Sequence, residues 1–243
     1  MKKGNKDQSF HGNLIMAANS LGNPKDIPLR ALEYAAKADL LVFEEDRMAR
    51  QVLKAAGLIK PYLKFNEHFQ KDTLDTVRDS LKAGNTVLYM SDQGSPCLDD
   101  PGKFLVQEAM CVPSQITVIP GPSSLTAALS ACPFDISAFY YAGFLPREEE
   151  KRQNELQQLA KINKPLVFLD TPYRLHDVLN SCKIALGETW QGFLAVDISG
   201  EEEAYFYGSF AHLLTKVNKE KKLNFVLITA HRQKSLGKLP HYG

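Results

Sequence analysis

The sequence has no excess of either charge, since its 243 residues carry 29 Lys and Arg against 28 Asp and Glu. A net charge of +1 excludes a positive field over the whole surface, so a nucleic-acid partner would have to be held by local basic patches. No apolar run approaches the roughly 18 residues that cross a bilayer, and residues 1–13 contain no signal-like apolar stretch. We therefore expect a cytoplasmic protein with no membrane partner.

Cysteine is also scarce, with four residues that form no C-x-x-C pair and have no nearby histidine at metal-ligand spacing. This excludes the common structural zinc motifs and a disulfide framework. We expect scattered, buried free thiols in a reducing compartment and no metal site.

Apolar residues make up 44% of the chain and charged residues 23%, which is typical of a globular protein. In the first half, short apolar runs alternate with stretches of helical spacing, and this alternation predicts a mostly parallel sheet with helices on both faces. The predicted strands are Asn13–Ala18, Leu40–Phe43, Tyr62–Phe65, Thr86–Met90 and Ile116–Ile119; the predicted helices are Ile27–Ala38, Glu45–Ala56, Lys71–Ala83 and Gly102–Met110.

The pattern changes after the Pro-Gly-Pro at residues 120–122. Two neighbouring strands, Gln191–Asp197 and Ala204–Gly208, are separated only by a short acidic turn, which favours antiparallel pairing. We therefore predict two α/β domains, residues 1–122 with the parallel sheet and residues 123–243 with a mixed sheet, and a cleft between them.

Three loops that follow predicted strands combine glycine and proline with small polar residues. They span residues 19–26, 91–102 and 120–124. Ligands bind beyond the carboxyl ends of parallel strands, and such loops let the backbone approach a ligand closely. Each loop alone is ordinary turn chemistry, but their joint placement indicates a ligand site. None contains a dinucleotide-binding or P-loop glycine pattern.

Seven motifs in fixed order carry a family resemblance: L-G-N-P-K-D-I-P-L-R-A-L-E, E-E-D-R-M-A-R, N-E-H, S-D-Q-G-S-P-C-L-D-D-P-G, I-P-G-P-S-S, G-F-L-P and D-T-P-Y-R-L. In these motifs the chain resembles the tetrapyrrole-methylase-like superfamily of S-adenosylmethionine methyltransferases. It is most similar to the bacterial branch that methylates a cytidine ribose 2′-hydroxyl in small-subunit ribosomal RNA. The resemblance implies a homodimeric two-domain enzyme that binds S-adenosylmethionine in the interdomain cleft.

Carried over by position, the resemblance implies cofactor contacts from the three loops and from one strand end in the second domain. The implied cofactor-binding residues are Gly22, Asn23, Ser91, Asp92, Gln93, Gly94, Ser95, Ser123, Ser124 and Leu169. For Asp92, capping of its own loop is the alternative role.

A ribose hydroxyl is a poor nucleophile, so a positioned base would assist methyl transfer. The candidates are the consecutive carboxylates Glu44, Glu45 and Asp46, together with Glu67 and His68. Mutual repulsion among the three carboxylates would raise one pKa toward neutrality. The alternative for Glu45 and Asp46 is capping of the following helix, where negative charge is favoured.

Candidate RNA contacts are Arg47, Arg50 and Arg174, because guanidinium groups match phosphate geometry. Arg147, Lys151 and Arg152 are further candidates for RNA contacts. Their alternative is a solvated, salt-bridged helix face, because they enclose three glutamates.

The chain departs from the ribosomal branch at several motif positions. Asn19 and Ser20 replace Thr-Pro, Gln93 replaces Ala and Cys97 replaces Gly, and we expect the chain to lack the short C-terminal extension common in that branch. Two other functions therefore stay open: methylation of a tetrapyrrole, and binding of cofactor or RNA without catalysis.

Overall fold

The computed structural model describes residues 12–66, 70–98 and 100–232. It divides into two compact units, Met1–Ser123 and Ser124–Gly243. The boundary predicted after residue 122 lies one residue before this division. No helix within the described ranges is long and apolar enough to cross a membrane.

The first unit alternates strands and helices in the predicted order. Its five strands form one sheet in the order β3-β2-β4-β1-β5, and every pair is parallel, which confirms the predicted sheet. The elements are β1 (Gly12–Ala17), α1 (Leu29–Lys37), β2 (Leu40–Phe43), α2 (Asp46–Ala56), β3 (Leu63–Lys64), α3 (Gln70–Lys82), β4 (Thr86–Met90), α4 (Gly102–Met110) and β5 (Ser114–Ile119).

Alternate residues of these strands pack on opposite faces of the sheet, as the pleat requires. Ile15 and Leu88 face the cluster that contains α1 and α2 residues. Leu14 and Val87 face the cluster with α3 and α4 residues. Both faces of the central strands are therefore covered, and polar groups gather where the strands end.

Helix α2 ends at Gly57, which has a φ of 66° and donates its N–H to the carbonyls of Leu53 and Lys54. A side chain at this left-handed position would be strained, so glycine fits the predicted helix end. The predicted strand Tyr62–Phe65 is shorter in the structure, where only Leu63 and Lys64 pair with β2.

The second unit contains a five-stranded mixed sheet in the order β6-β7-β10-β8-β9. β6 and β7 are parallel and the other pairs are antiparallel, including the predicted pair β8 and β9. The elements are α5 (Ser124–Ala131), β6 (Tyr140–Gly143), α6 (Glu149–Ala160), β7 (Leu166–Asp170), α7 (Leu175–Leu186), β8 (Trp190–Val196), β9 (Ala204–Gly208), α8 (Phe210–Lys216) and β10 (Phe225–His231).

The faces of this sheet also alternate. Leu166 and Phe168 belong to the cluster with residues of α6, α7 and α8, whereas Val167 and Val226 face the cluster with α5. Burial on both faces fixes β7, so the segment that follows Asp170 starts from a rigid strand end.

The expected solvated helix face at residues 147–152 is wrong for Arg152, which is only 5% exposed. Its Nε donates to Ser181 Oγ at 2.8 Å, and its Nη1 donates to the Arg147 carbonyl at 2.7 Å. Lys151 does form the surface pair, with Glu148 at 2.9 Å. The structure thus uses Arg152 to satisfy buried polar groups rather than to meet solvent.

All four cysteines are free thiols, as predicted, but they are not all buried. Cys182 is buried and Cys132 is half-buried, whereas Cys97 and Cys111 are exposed. The described part of the chain holds no cluster of three or more metal-ligating side chains.

Candidate functional site

The carboxyl ends of β1, β2 and β4 lie at one edge of the parallel sheet, because β4 pairs with both other strands. Asn19, which follows β1, is fully buried there. Its Nδ2 donates to the carbonyls of Ser91 at 3.0 Å and Asp92 at 3.3 Å, and its backbone N–H donates to the Gly94 carbonyl at 2.8 Å. Asn19 therefore anchors the loop after β4 to the end of β1.

Asn19 was not among the predicted site residues. Its sequence signals are that it opens the glycine-proline loop 19–26 and that its polar side chain directly follows an apolar run. Because its side chain donates to backbone carbonyls of the neighbouring loop, we infer that Asn19 supports the site structurally rather than binding a ligand.

Glu44 and Asp92 meet at this edge although they are 48 residues apart in sequence. The Asp92 backbone N–H donates to Glu44 Oε2 at 2.6 Å. In return, a hydrogen bond from the Glu45 backbone lowers the pKa of the Asp92 carboxyl. The ends of β2 and β4 are thus joined reciprocally, each carboxylate facing a backbone N–H of the other strand end.

Burial raises the pKa of Glu44 from 4.5 to about 7. The hydrogen bond from Asp92 opposes this rise, and the charges of Asp92, Asp100 and Glu45 add to it, in that order. Repulsion within the acidic run is therefore the smallest of these contributions, and desolvation is the main cause. A carboxyl group with a pKa near 7 exchanges a proton readily at neutral pH.

Burial also raises the pKa of Asp92, assisted by the negative charge of Glu45 and opposed by its backbone hydrogen bond and by Arg47. Its Oδ1 is buried and accepts no hydrogen bond within the part of the chain that the structure describes. A buried carboxylate oxygen without a donor is costly, which points to a donor supplied from outside the chain.

The loop after β4 is tied to the loops after β1 and β5. Gln93 Nε2 donates to the Leu21 carbonyl at 2.6 Å, and Ser95 Oγ donates to the Pro122 carbonyl at 3.1 Å. Gly94 has a φ of 70°, and a Cβ there would approach Leu21 Cδ2 to 3.2 Å. The three glycine-proline loops are therefore packed together, as their placement at neighbouring strand ends predicts.

The other predicted cofactor residues lie at loop positions or strand ends. Gly22 and Asn23 are exposed, and Asn23 Oδ1 accepts the Lys25 backbone N–H at 3.0 Å. Ser123, Ser124 and Leu169 are half-buried, with Ser124 at the first position of α5 and Leu169 in β7.

The three consecutive carboxylates have different surroundings. Glu45 is exposed and accepts a hydrogen bond from Asn66. Asp46 accepts one from the Tyr62 hydroxyl at 2.8 Å and pairs with Lys64 at 3.2 Å, and these two contacts lower the pKa of Asp46. A carboxyl with a lowered pKa is a weak base, so Glu44 is the better candidate.

The alternative role predicted for Glu45 and Asp46, capping of the following helix, is only partly observed. Glu45 occupies the N-cap position of α2, but its side chain forms no capping hydrogen bond. Asp46 lies in the first turn, where its charge is favourable. The predicted candidates Glu67 and His68 lie outside the described residues.

Arg47 and Arg50 are both exposed on α2. Arg50 interacts with the Tyr62 hydroxyl and with the charge of Asp46. Arg47 forms no ion pair with any residue that the structure describes, although its charge is close enough to lower the pKa of Asp92. Arg47 is therefore the arginine best placed to meet a ligand near this edge.

Arg174 is held by its own chain. Its Nη2 donates to the carbonyls of Leu145 at 2.8 Å and Pro146 at 2.7 Å, and its side chain is only 17% exposed. Its Nη1 lies 3.1 Å from Asp170 Oδ2, a charge contact without good hydrogen-bond geometry, since that oxygen has no hydrogen-bond partner among the described residues. These contacts give Arg174 a structural role and leave its guanidinium less accessible to a phosphate than that of Arg47.

Comparison with known proteins identifies a family for this chain and solved structures of similar fold. The model of the family described as Tetrapyrrole (Corrin/Porphyrin) Methylases matches residues 14–214. Solved structures with a similar fold include a diphthine synthase (TM-score 0.69, 13% identity, 90% of each chain) and a cobalt precorrin-4 methyltransferase (TM-score 0.64, 16% identity, 93% of this chain and 97% of that one).

Two relatives share more sequence, and both are named ribosomal RNA small subunit methyltransferase I. The protein of Thermotoga maritima is 32% identical over 217 residues, which cover 89% of this chain and 97% of that protein. The protein of Leptospira borgpetersenii is 31% identical over 229 residues, covering 93% and 90%. The chain therefore belongs to the family of tetrapyrrole (corrin/porphyrin) methylases and is an S-adenosylmethionine-dependent methyltransferase.

Proposed function

We propose that the chain transfers a methyl group to a ribose 2′-hydroxyl of small-subunit ribosomal RNA. The observation that carries this proposal is the identity of 31–32% to proteins named for that ribosomal subunit, extending over most of both chains. We also propose, from the family resemblance, a cytoplasmic homodimer. Light scattering tests the dimer against the protomer mass of 27.1 kDa.

The residues at the sheet edge fit S-adenosylmethionine. Asp92 Oδ1 is a buried acceptor that lacks a donor in the described chain, and the cofactor carries donors in its ammonium and ribose hydroxyl groups. The loop Ser91–Ser95 packs closely against Leu21 and Pro122 because Gly94 has no side chain. We propose that this loop, with Gly22, Asn23 and the remaining residues carried over by resemblance (Ser123, Ser124 and Leu169), holds the cofactor.

When bound, the sulfonium of this cofactor supplies an activated methyl group and requires no metal. The chain then has to orient the ribose hydroxyl and accept its proton. We propose Glu44 as that base, because its pKa of about 7 lets it accept a proton at neutral pH. Its Oε2 is held by the Asp92 N–H, which orients the carboxylate, and Oε1 accepts no hydrogen bond from the described residues.

Methyl transfer tests this function directly. We expect the purified protein to move labelled methyl from S-adenosylmethionine to small-subunit RNA or particles. A 2′-O-methyl group blocks alkaline cleavage at that nucleotide, so the label should be recovered in an alkali-resistant dinucleotide. Absence of label from RNA and particles, in a protein that binds the cofactor, would refute the proposed substrate.

Arg47→Ala is expected to weaken RNA binding while leaving cofactor affinity nearly unchanged. The guanidinium is exposed at the start of α2, close to Asp92, and suits a phosphate beside the reacting ribose. Loss of one phosphate contact should reduce the slope of log affinity against log salt by about 0.7–0.9. RNA affinity at several salt concentrations and calorimetric affinity for S-adenosylhomocysteine measure the two effects.

The matched control for Arg47 is Lys54→Ala, which removes one exposed positive charge from the last turn of the same helix. It should retain wild-type RNA affinity and salt dependence. Equal salt slopes in wild type and Arg47→Ala would contradict the phosphate contact and leave Arg47 as an ordinary surface residue.

A further inference from the structure

A basic surface with an exposed aromatic ring lies in the second unit. A pocket of about 100 Å³ has Pro172, Tyr173, Lys219, Lys221 and Lys222 among its lining residues. None of these residues takes part in the proposed methyl transfer or cofactor binding. We call these five residues the lysine shelf.

Strand pairing brings the lysine shelf to a defined edge of the sheet. β10 runs antiparallel to β7, with Phe225 opposite Asp170 and Val226 opposite Leu169. The segment that enters β10 therefore lies beside the segment that leaves β7. The shelf thus occupies the same sheet edge as Leu169, which we propose as a cofactor residue.

The charge of the shelf is concentrated in a short segment. Residues 216–222 contain four lysines and one glutamate in a chain whose net charge is only +1. Lys221 pairs with Glu202, and Lys222 Nζ donates to the Lys219 carbonyl at 3.0 Å. Lys219 forms no ion pair with the described residues, and the pocket lining holds three lysines against the single carboxylate Asp177, so the lining has a net positive charge.

Tyr173 is 73% exposed, so most of its ring surface faces solvent. Lys222 Nζ lies 5.7 Å from the centre of this ring. An exposed ring beside lysines is the combination that binds single-stranded nucleic acid, with the ring stacking on a base and the ammonium groups meeting phosphates.

We propose that the lysine shelf binds the RNA substrate, with Tyr173 stacking on an unpaired base and Lys219 and Lys222 contacting its phosphates. This inference rests on the proposed RNA function and adds a binding surface to it. An acidic peptide would satisfy the charge but would not require an exposed ring, so the pairing of ring and lysines favours RNA.

Three variants separate the contribution of the charges from that of the ring. Lys219→Ala/Lys222→Ala is expected to lower affinity for a small-subunit RNA fragment at least tenfold and to reduce the salt slope by about 1.4 for two single-strand phosphates. Tyr173→Ala is expected to lower it about 5- to 150-fold with an unchanged slope, and Tyr173→Phe should restore binding. Calorimetric affinity for S-adenosylhomocysteine should be unchanged in all three.

The matched control is Lys161→Ala/Lys183→Ala, which removes the same charge from exposed positions elsewhere in this unit. It should bind RNA like wild type. If wild type binds and methylates RNA and the shelf variants match it in affinity and slope, the lysine shelf is wrong and the proposed function stands. If wild type itself neither binds nor methylates RNA, the proposed function fails, and this inference fails with it.

Discussion

Glu44→Gln is expected to lower the rate of methyl transfer about 10²- to 10⁴-fold, the usual contribution of a general base. The glutamine oxygen can still accept the Asp92 N–H that Glu44 Oε2 accepts at 2.6 Å, so the two strand ends stay joined. Affinity for S-adenosylhomocysteine should change much less than the rate. Single-turnover transfer to RNA and calorimetry on the same preparation measure both effects.

The pH dependence of the rate tests the same role. Only ionised Glu44 can accept a proton, and burial raises the pKa of this group to about 7. For wild type, kcat/KM should therefore rise with pH and level off above an apparent pKa near 7, whereas the residual activity of Glu44→Gln should lack that rise. A wild-type profile that is flat from about pH 5.5 to pH 8.5 would contradict base catalysis by Glu44.

The contribution of Glu44 to the free energy of unfolding should fall as the pH rises, whereas kcat/KM rises. The folded-state pKa of about 7 exceeds the ordinary value of 4.5, so Glu44 favours the fold when protonated. Its contribution is fully present below about pH 4.5 and is lost as the pH rises through 7. Glu44→Gln should therefore be more stable than wild type near pH 8, by about 1–2 kcal/mol after allowance for solvent screening.

Glu33→Gln is the matched control, since Glu33 is an exposed glutamate on α1. It should keep wild-type activity and show no stability gain at high pH. A Glu44→Gln protein with full transfer activity would rule out the base, whatever its stability.

Much of the fold was predictable because the strands of the first unit are apolar on both faces. Runs such as Leu40–Phe43 and Thr86–Met90 have the observed bounds, since covering by helices on both sides demands continuous apolar residues. The third strand was predicted too long, because only Leu63 and Lys64 find backbone partners on β2. Strand ends at a sheet margin depend on neighbours that composition does not encode.

The candidate site was only partly predictable. Its loops could be located, because the carboxyl edge of a parallel sheet follows from strand order along the chain. The hydrogen bond between Glu44 and Asp92 depends on β2 lying next to β4. That strand order is set by tertiary packing and cannot be deduced from the local sequence. The pKa rise at Glu44 was expected from neighbouring charges, whereas burial turned out to be its main cause.

The surroundings of the arginine side chains were also not predictable from the sequence. Arg152 and Arg174 carry the same group as Arg47, yet both donate to main-chain carbonyls in the segment 145–147. Whether a guanidinium meets solvent or carbonyls depends on which loop folds over it. The sequence offers no local signal for that choice.

Asp92→Asn is expected to weaken binding of S-adenosylhomocysteine about 10- to 100-fold. Asp92 Oδ1 is a buried acceptor with no donor in the described chain, and a hydrogen bond between a charged carboxylate and a bound ammonium or hydroxyl group contributes about 1.5–3 kcal/mol. Asparagine keeps the volume but removes the charge. Titration calorimetry at about pH 8 measures the loss, and Asp79→Asn, on the exposed side of α3, serves as the control.

Two further measurements distinguish this role from loop capping. Burial raises the pKa of Asp92, so the wild-type affinity should decline as the pH falls through that raised value, whereas the affinity of Asp92→Asn should lack this dependence. The thermal midpoint of the ligand-free variant should equal or exceed that of wild type, because the variant removes a negative charge that burial disfavours. If Asp92 only caps its own loop, the variant should instead have a lower thermal midpoint and an unchanged affinity. That result would overturn the cofactor contact.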